Sequence, residues 1–254
     1  MNNTENRVMD CFGEYHKVVN RGYDPDDIKS FKGERLVKIM DACADVKYLL
    51  NMGYKVKPAT TFVADHYALS ERERLVLARG VAATKDIVLR KEKTAKVEYK
   101  ILRGEEIDIV YIDGFNAIIP MESLLSGSVL FTCQDGAIRD LANLRGSYKI
   151  IDKTEGAIRL LLSALDDLKV KKAIFHLDKP VSNSGRLKTM ILKLSAEYKV
   201  EVEVYLLDAV DKSLYGKENV VSGDCIVMDN ATSVVPLYSN IVENYKGDKW
   251  VVEL

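Results

Sequence analysis

The sequence predicts an α/β protein with a small α-helical region in front of it. Three observations carry this. The character of the chain changes near residue 106; behind that point, short β-branched apolar runs alternate with helical patterns; and those apolar runs repeatedly end in Asp. The 254 residues allow one large domain or two unequal ones. With 47% hydrophobic and 30% charged residues there is ample material for a core, which excludes global disorder.

The first 32 residues are expected to be loosely helical, with an Asp24-Pro25-Asp26-Asp27 turn. Leu36, Ile39, Met40, Cys43, Val46 and Leu50 recur at steps of three and four, which places one apolar stripe on a helix that Asn51 and Gly53 end. Pro58 opens a second helix running to Tyr67. Ser70 followed by Glu73 is a capping box in front of Leu75, Val76 and Leu77, and Gly80 is a stop. The boundaries expected are therefore a helical domain over 1–85, a charged connector over 86–106 and an α/β domain over 107–254. Within the connector, Val97, Tyr99 and Ile101 alternate with polar residues and suggest a half-exposed strand.

From Ile107 the pattern is strand–helix. IDIVYID and SVLFTC read as strands, EGAIRLLLSALDDL as a helix, and KKAIFHLD as a strand. Residues 183–198 read as a helix, VEVEVYLL as a strand, GDCIVMD as a short strand, 232–245 as a helix and WVVEL as an edge strand. Crossover helices of this length imply a largely parallel sheet covered on both faces.

Several function classes drop out. The 37 basic and 38 acidic residues leave no electrostatic footprint for duplex DNA. Cys11, Cys43, Cys133 and Cys225 form no C-x-x-C pair, so a cysteine zinc site is not expected. No apolar run approaches the roughly 18 residues of a membrane span, and MNNTENRVMD has no secretory h-region. The expectation is a cytoplasmic protein with reduced thiols and no membrane partner. P-loop, dinucleotide-binding and G-x-S-x-G signatures are absent, and Phe115 stands where an aspartyl-phosphate hydrolase wants its second Asp.

The chemistry points to strand ends. Asp113, Asp135, Asp178, Asp208 and Asp224 each follow an apolar run. In a parallel sheet the carboxyl ends of the strands share one edge, so several carboxylates converge there. Unpaired, they repel one another, and a hard divalent cation, Mg²⁺ or Mn²⁺, relieves the repulsion. The plain alternative for each Asp singly is a turn former or helix N-cap. Asp113-Gly114-Phe115-Asn116 is the sharpest motif: Gly114 permits a close turn, and the Asn116 amide can reach back to orient the carboxylate or a bound phosphate. Arg139, Arg145, Lys179 and Arg186 are candidates to hold flanking phosphates, although each alone reads as an ordinary surface charge. The turn Ser182–Gly185 precedes a helix whose free N–H groups suit a phosphate. His176 shares a sheet face with Asp178 and is expected to be a satisfied buried histidine; His16 and His66 have no ligand partners at suggestive spacing.

The strand-ending D-G-x-N resembles the signature of the PIN-like nuclease superfamily, in particular its NYN branch. Val221-Ser222-Gly223-Asp224 is similar to that superfamily's later S-x-D motif. Over about residues 33–230 the chain also resembles an uncharacterised family with a helical front domain joined to a PIN-like region. That likeness is carried by YLLNMGY, LSERERLVLARGV, IDGFN, QDGAIRDL and FHLDKPVSNSG. The resemblance implies a Rossmann-like, mostly parallel PIN-like sandwich in which Asp113, Asn116, Asp178 and Asp224 are catalytic. Asp113 and Asp224, with Asp178 or Asp135, would hold Mg²⁺ or Mn²⁺, and water activated by the cation would attack an RNA phosphodiester in line. NYN enzymes often carry a further acid two residues after the late Asp; here Ile226 stands there, and the next acid is Asp229. Two functions are therefore expected: a metal-dependent ribonuclease, or a PIN-like fold without catalysis that binds RNA or acts as a scaffold. The front helices would dock RNA, a protein or a second copy of the chain.

Overall fold

The computed structural model describes residues 7–142 and 146–254. The chain opens with an antiparallel hairpin, β1 (Arg7–Met9) and β2 (Tyr15–Lys17), followed by the short α1 (Asp27–Ser30). This corrects the helical expectation for the described part of the first 32 residues; residues 1–6 lie outside it. The cause is local: the Asp10 carboxylate accepts the backbone N–H groups of Phe12 and Glu14, which closes a turn rather than a helix.

Three helices follow: α2 (Gly33–Asn51), α3 (Val56–His66) and α4 (Glu71–Gly80). Ile39, Ala42, Cys43, Val46 and Leu50 bury the apolar face of α2, and Gly53 closes it at φ +89°. The Ser70–Glu73 capping box forms on both sides. The expected charged connector is instead a fourth long helix, α5 (Thr84–Leu102). Ile87, Arg90, Lys93 and Val97 are its buried positions, at helical steps, whereas Tyr99 is 61% exposed. The alternation at Val97, Tyr99 and Ile101 spans only five residues, little more than one helical turn. It is overridden by a Lys-, Glu- and Arg-rich segment whose side chains lose little freedom in a helix.

The remainder runs β3 (Ile107–Asp113), α6 (Gly114–Leu125), β4 (Val129–Thr132), β5 (Ile138–Arg139), α7 (Thr154–Asp167) and β6 (Val170–Asp178). It continues with α8 (Ser184–Ser195), β7 (Glu201–Leu207), α9 (Val210–Leu214), β8 (Val220–Val221), α10 (Cys225–Asn230), α11 (Leu237–Asn244) and β9 (Trp250–Glu253). Strands β7, β6, β3 and β8 form, in that order, an all-parallel sheet. A second sheet has the order β5-β4-β9, with β9 parallel to β4 on its edge and β5 antiparallel.

Val110, Ile112, Ala173, Phe175, Leu177 and Val204 pack one face of the parallel sheet onto α6, α7 and α8 in the main core. The other face meets α9 and α10 through Val210, Leu214, Val227 and Met228, while Ile109 and Tyr205 stay accessible, so cover is complete on one face only. The front helices share their core with the second sheet: Phe31, Ile39, Val63 and Leu77 join Val129, Phe131, Leu141 and Val252, with Phe31 and Phe131 edge-to-face at 5.0 Å.

Two strand expectations change in consequence. SVLFTC does form a strand, β4, but in the second sheet, away from the parallel rim. GDCIVMD forms α10, preceded by the two-residue β8. The Asp224 carboxylate accepts N–H groups from Ile226 and Val227, and such a cap starts a helix rather than a strand.

Candidate functional site

The parallel sheet grows from β3 through β6 to β7 and then returns to place β8 on the other side of β3. The order reverses between β3 and β8, which is where an open α/β sheet forms a crevice at the carboxyl ends of its strands. Asp113 ends β3 there, and Ser222 to Asp224 leave β8 beside it. Gly114 makes the tight departure possible: a Cβ there would come within 2.4 Å of Leu177 Cδ2 and 3.0 Å of the His176 carbonyl.

Asp113 is buried, 1% exposed. The Asn116 amide donates to its Oδ2 at 2.7 Å, as the D-G-x-N spacing predicts, and the Ser222 hydroxyl donates to the same oxygen at 2.8 Å. Burial pushes this carboxyl up to about 7; the two hydrogen bonds pull the other way, and the carboxylates of Asp211 and Asp224 add to the rise. Among the described residues, no lysine or arginine pairs with it. Asp178, half-buried at the end of β6, is raised by burial and then by Asp211. Asp211, on α9, is raised by burial and then by Asp224. Asp113 thus feels the charges of Asp211 and Asp224, Asp211 that of Asp224, and Asp178 that of Asp211, along one rim. The Asp224 Oδ1 serves the α10 cap.

The other expected site residues lie elsewhere. Asp135, in the β4–β5 turn, is buried between two guanidinium groups, Arg139 at 2.7 Å and Arg90 at 2.9 Å, so it does not reach the rim as a metal ligand. Arg139 is spent in the same contact and on the Gly223 carbonyl at 2.6 Å, which removes it as a free phosphate holder. Arg186 pairs with Glu14 and lies 3.8 Å from Asp10. Lys179 is exposed just after β6. Arg145 lies outside the described residues. Asp208 is exposed after β7. His176 is satisfied, as expected: its Nδ1 lies 2.7 Å from the Ser213 hydroxyl, with the rings of Tyr111 and Tyr205 on either side.

Three features escaped sequence reasoning. Asp211 sits three residues beyond Asp208 in the next helical turn, and the D-A-V-D spacing was its only signal. Arg79 comes from the front: with Val56, Asn116, Arg139, Asp224 and Ile226 it lines a cavity of about 300 Å³ between α3, α4 and the rim. Its guanidinium is pinned by one N–H to the Asp140 carbonyl at 2.7 Å. Finally, His16 does have partners. Asp10, Glu14 and His16 place their ligand atoms within 4.8 Å of one another, the one such trio among the described residues. Arg186 already balances its charge.

Residues 76–240 match the family described as "Domain of unknown function (DUF5616)", and residues 38–93 match "Protein of unknown function (DUF434)". An uncharacterised protein of Methanocaldococcus jannaschii is 38% identical over 212 residues, which cover 83% of this chain and 99% of that one. The chain belongs to the DUF5616 family. No solved structure gives a significant match. The DUF5616 match runs from α4 into α11, so it takes in Arg79 together with Asp113, Asn116, Asp178, Asp211 and Asp224.

Proposed function

We propose that this DUF5616 protein is a metal-dependent ribonuclease of PIN-like type, acting at the crevice between β3 and β8. The observation that carries the reading is Asp113: a buried carboxyl with no cationic partner among the described residues, facing the further carboxylates of Asp211 and Asp224. A fold gains nothing by burying such a charge unpaired, and a bound cation reverses the penalty.

The donor set fits a hard divalent ion. It is all oxygen, and no three rim carboxylates bring their ligand atoms within 4.8 Å of one another, since only the Asp10 trio does so among the described residues. The rim therefore offers no protein cage, and a bound Mg²⁺ or Mn²⁺ would take one or two carboxylates and fill its shell with water and substrate phosphate. Asp113 and Asp224 are the residues that would hold it, with Asp178 and Asp211 around them. The ion would supply charge neutralisation at a phosphodiester and a water acidified for in-line attack. Asn116 and Ser222 fix the Asp113 carboxylate through its Oδ2 and leave Oδ1 for the ligand. Burial raises the carboxyls of both Asp178 and Asp211, the direction that favours a proton-carrying role beside the reacting oxygens.

Ile226, 55% exposed at the cavity where NYN enzymes carry an acid, favours the second reading, an RNA-binding module without cleavage. Incubation with single-stranded and structured RNA in Mn²⁺ separates the two. The ribonuclease reading expects cleavage by the wild type and none by the Asp113→Asn, Asp224→Asn protein purified alongside. RNA retained intact by both supports the second reading, and equal cleavage by both marks a contaminant and removes the first.

A further inference from the structure

We propose that single-stranded RNA reaches the rim across the α2–α3 corner, which stacks its bases and neutralises its backbone; this rests on the ribonuclease reading and names its substrate class. The corner is unusual for a folded surface. Tyr48, Met52, Tyr54 and Phe62 are each more than 60% exposed, and Val56 is 46% exposed. Three exposed rings on α2, α3 and the loop between them offer faces on which a partner's bases can stack.

The charge of the corner selects the partner. Lys55 and Lys57 are exposed and make no ion pair among the described residues, while the acids bounding residues 47–64 are engaged, Asp45 by the Tyr67 hydroxyl and Asp65 by Arg74. Rings interleaved with unpaired ammonium groups are the chemistry that binds single strands. Every base has a π-face to stack, and every phosphate a charge to meet. A duplex hides those faces within its own stack.

Position supplies the second argument. Val56, between the two lysines, lines the 300 Å³ cavity that Asn116 and Asp224 line from the opposite side. Arg79 lines the same cavity, half-exposed, held by the Asp140 carbonyl and 3.6 Å from the Asp140 carboxylate. A strand held at Lys55 and Lys57 would enter this cavity beside Val56, where Arg79 and Asp224 both line it. This gives the front helices a task of their own: the acidic rim alone repels a polyanion, and the Lys55–Lys57 corner offsets that repulsion.

The test is fluorescence anisotropy of a labelled 12-nucleotide single strand against the full-length protein, in EDTA so that nothing is cut, over a range of salt. The Lys55→Gln, Lys57→Gln double variant is expected to bind more weakly and to lower the salt slope by about 1.4, at about 0.7 per phosphate contact on single strands. Tyr54→Ala should lose about tenfold in affinity, and Lys246→Gln, a surface control, none. All four changed side chains are exposed, so an unchanged melting temperature should accompany each variant. Unchanged affinity in both corner variants, tighter binding of the matching duplex, or no binding by the wild type would overturn the proposal. So would a dimer in sedimentation that Tyr54→Ala disperses, because the corner would then belong to a second copy. These outcomes are independent of the metal: the rim reading stands or falls on Mn²⁺ and Asp113, neither of which enters this measurement.

Discussion

The side chain of Asp113 concentrates the physics of the site. It is an acid kept from water with hydrogen-bond donors but no counter-charge, and so it titrates near neutral pH. Its folded value lies above its unfolded one, so the folded state binds the extra proton between the two. Stability without metal therefore falls as pH rises from about 4 to about 7, by on the order of 4 kcal/mol for a shift of about 3 units. Asp113→Asn removes that dependence. In EDTA the variant is expected to melt above the wild type at pH 8, with the gap closing at pH 5; excess Mn²⁺ at pH 8 should reverse the order. Thermal melts at the two pH values check this, and a gap that does not change with pH would contradict it. The Asn116 contact was legible because D-G-x-N leaves the chain few ways to turn. The Ser222 contact was not, because it joins residues 109 apart in sequence, and a single sequence carries no signal for such a pair.

Among the elements, α10 shows how one residue can hold two roles. Asp224 caps the helix through Oδ1 and contributes charge to the rim. Asp224→Ser keeps an acceptor for Ile226 and Val227 but removes the charge; Asp224→Ala removes both. Denaturant unfolding should place Asp224→Ala about 1 kcal/mol below wild type and Asp224→Ser close to it, while both lose Mn²⁺ binding. Metal binding retained by Asp224→Ser would restrict the residue to capping. The same elements show where sequence reading ran short. Helices α2, α7 and α8 and the strands β3, β6 and β7 were legible because their apolar periods run over many residues, whereas α5 was expected as a connector and α6 was not expected as a helix. The alternation at Val97, Tyr99 and Ile101 and the six-residue α10, CIVMDN, are too short for period to decide, and packing and capping decided them instead. SVLFTC was read correctly as a strand, yet its sheet depended on β9, more than a hundred residues away.

Across the whole molecule, the front helices, the second sheet and the parallel sheet are tied by buried ion pairs. Arg90 of α5 reaches Asp135 in the β4–β5 turn and Asp229 on α10, while Arg139 shares Asp135. This network explains why two expected site residues, Asp135 and Arg139, are structural. It also fixes the wall against which Asp224 and Gly223 lie. Asp135→Ala would leave two buried guanidinium groups short of a partner, at a cost of about 3–5 kcal/mol. Urea unfolding measures this, and a loss below 1 kcal/mol would contradict the network's role.

The central claim, that the β3–β8 crevice holds a divalent cation on Asp113, is tested most directly by calorimetric titration of Mn²⁺ at pH 8, where that carboxyl is ionised. Saturable binding is expected for the wild type and none at this site for Asp113→Asn; identical isotherms for the two proteins would rule out the cation site.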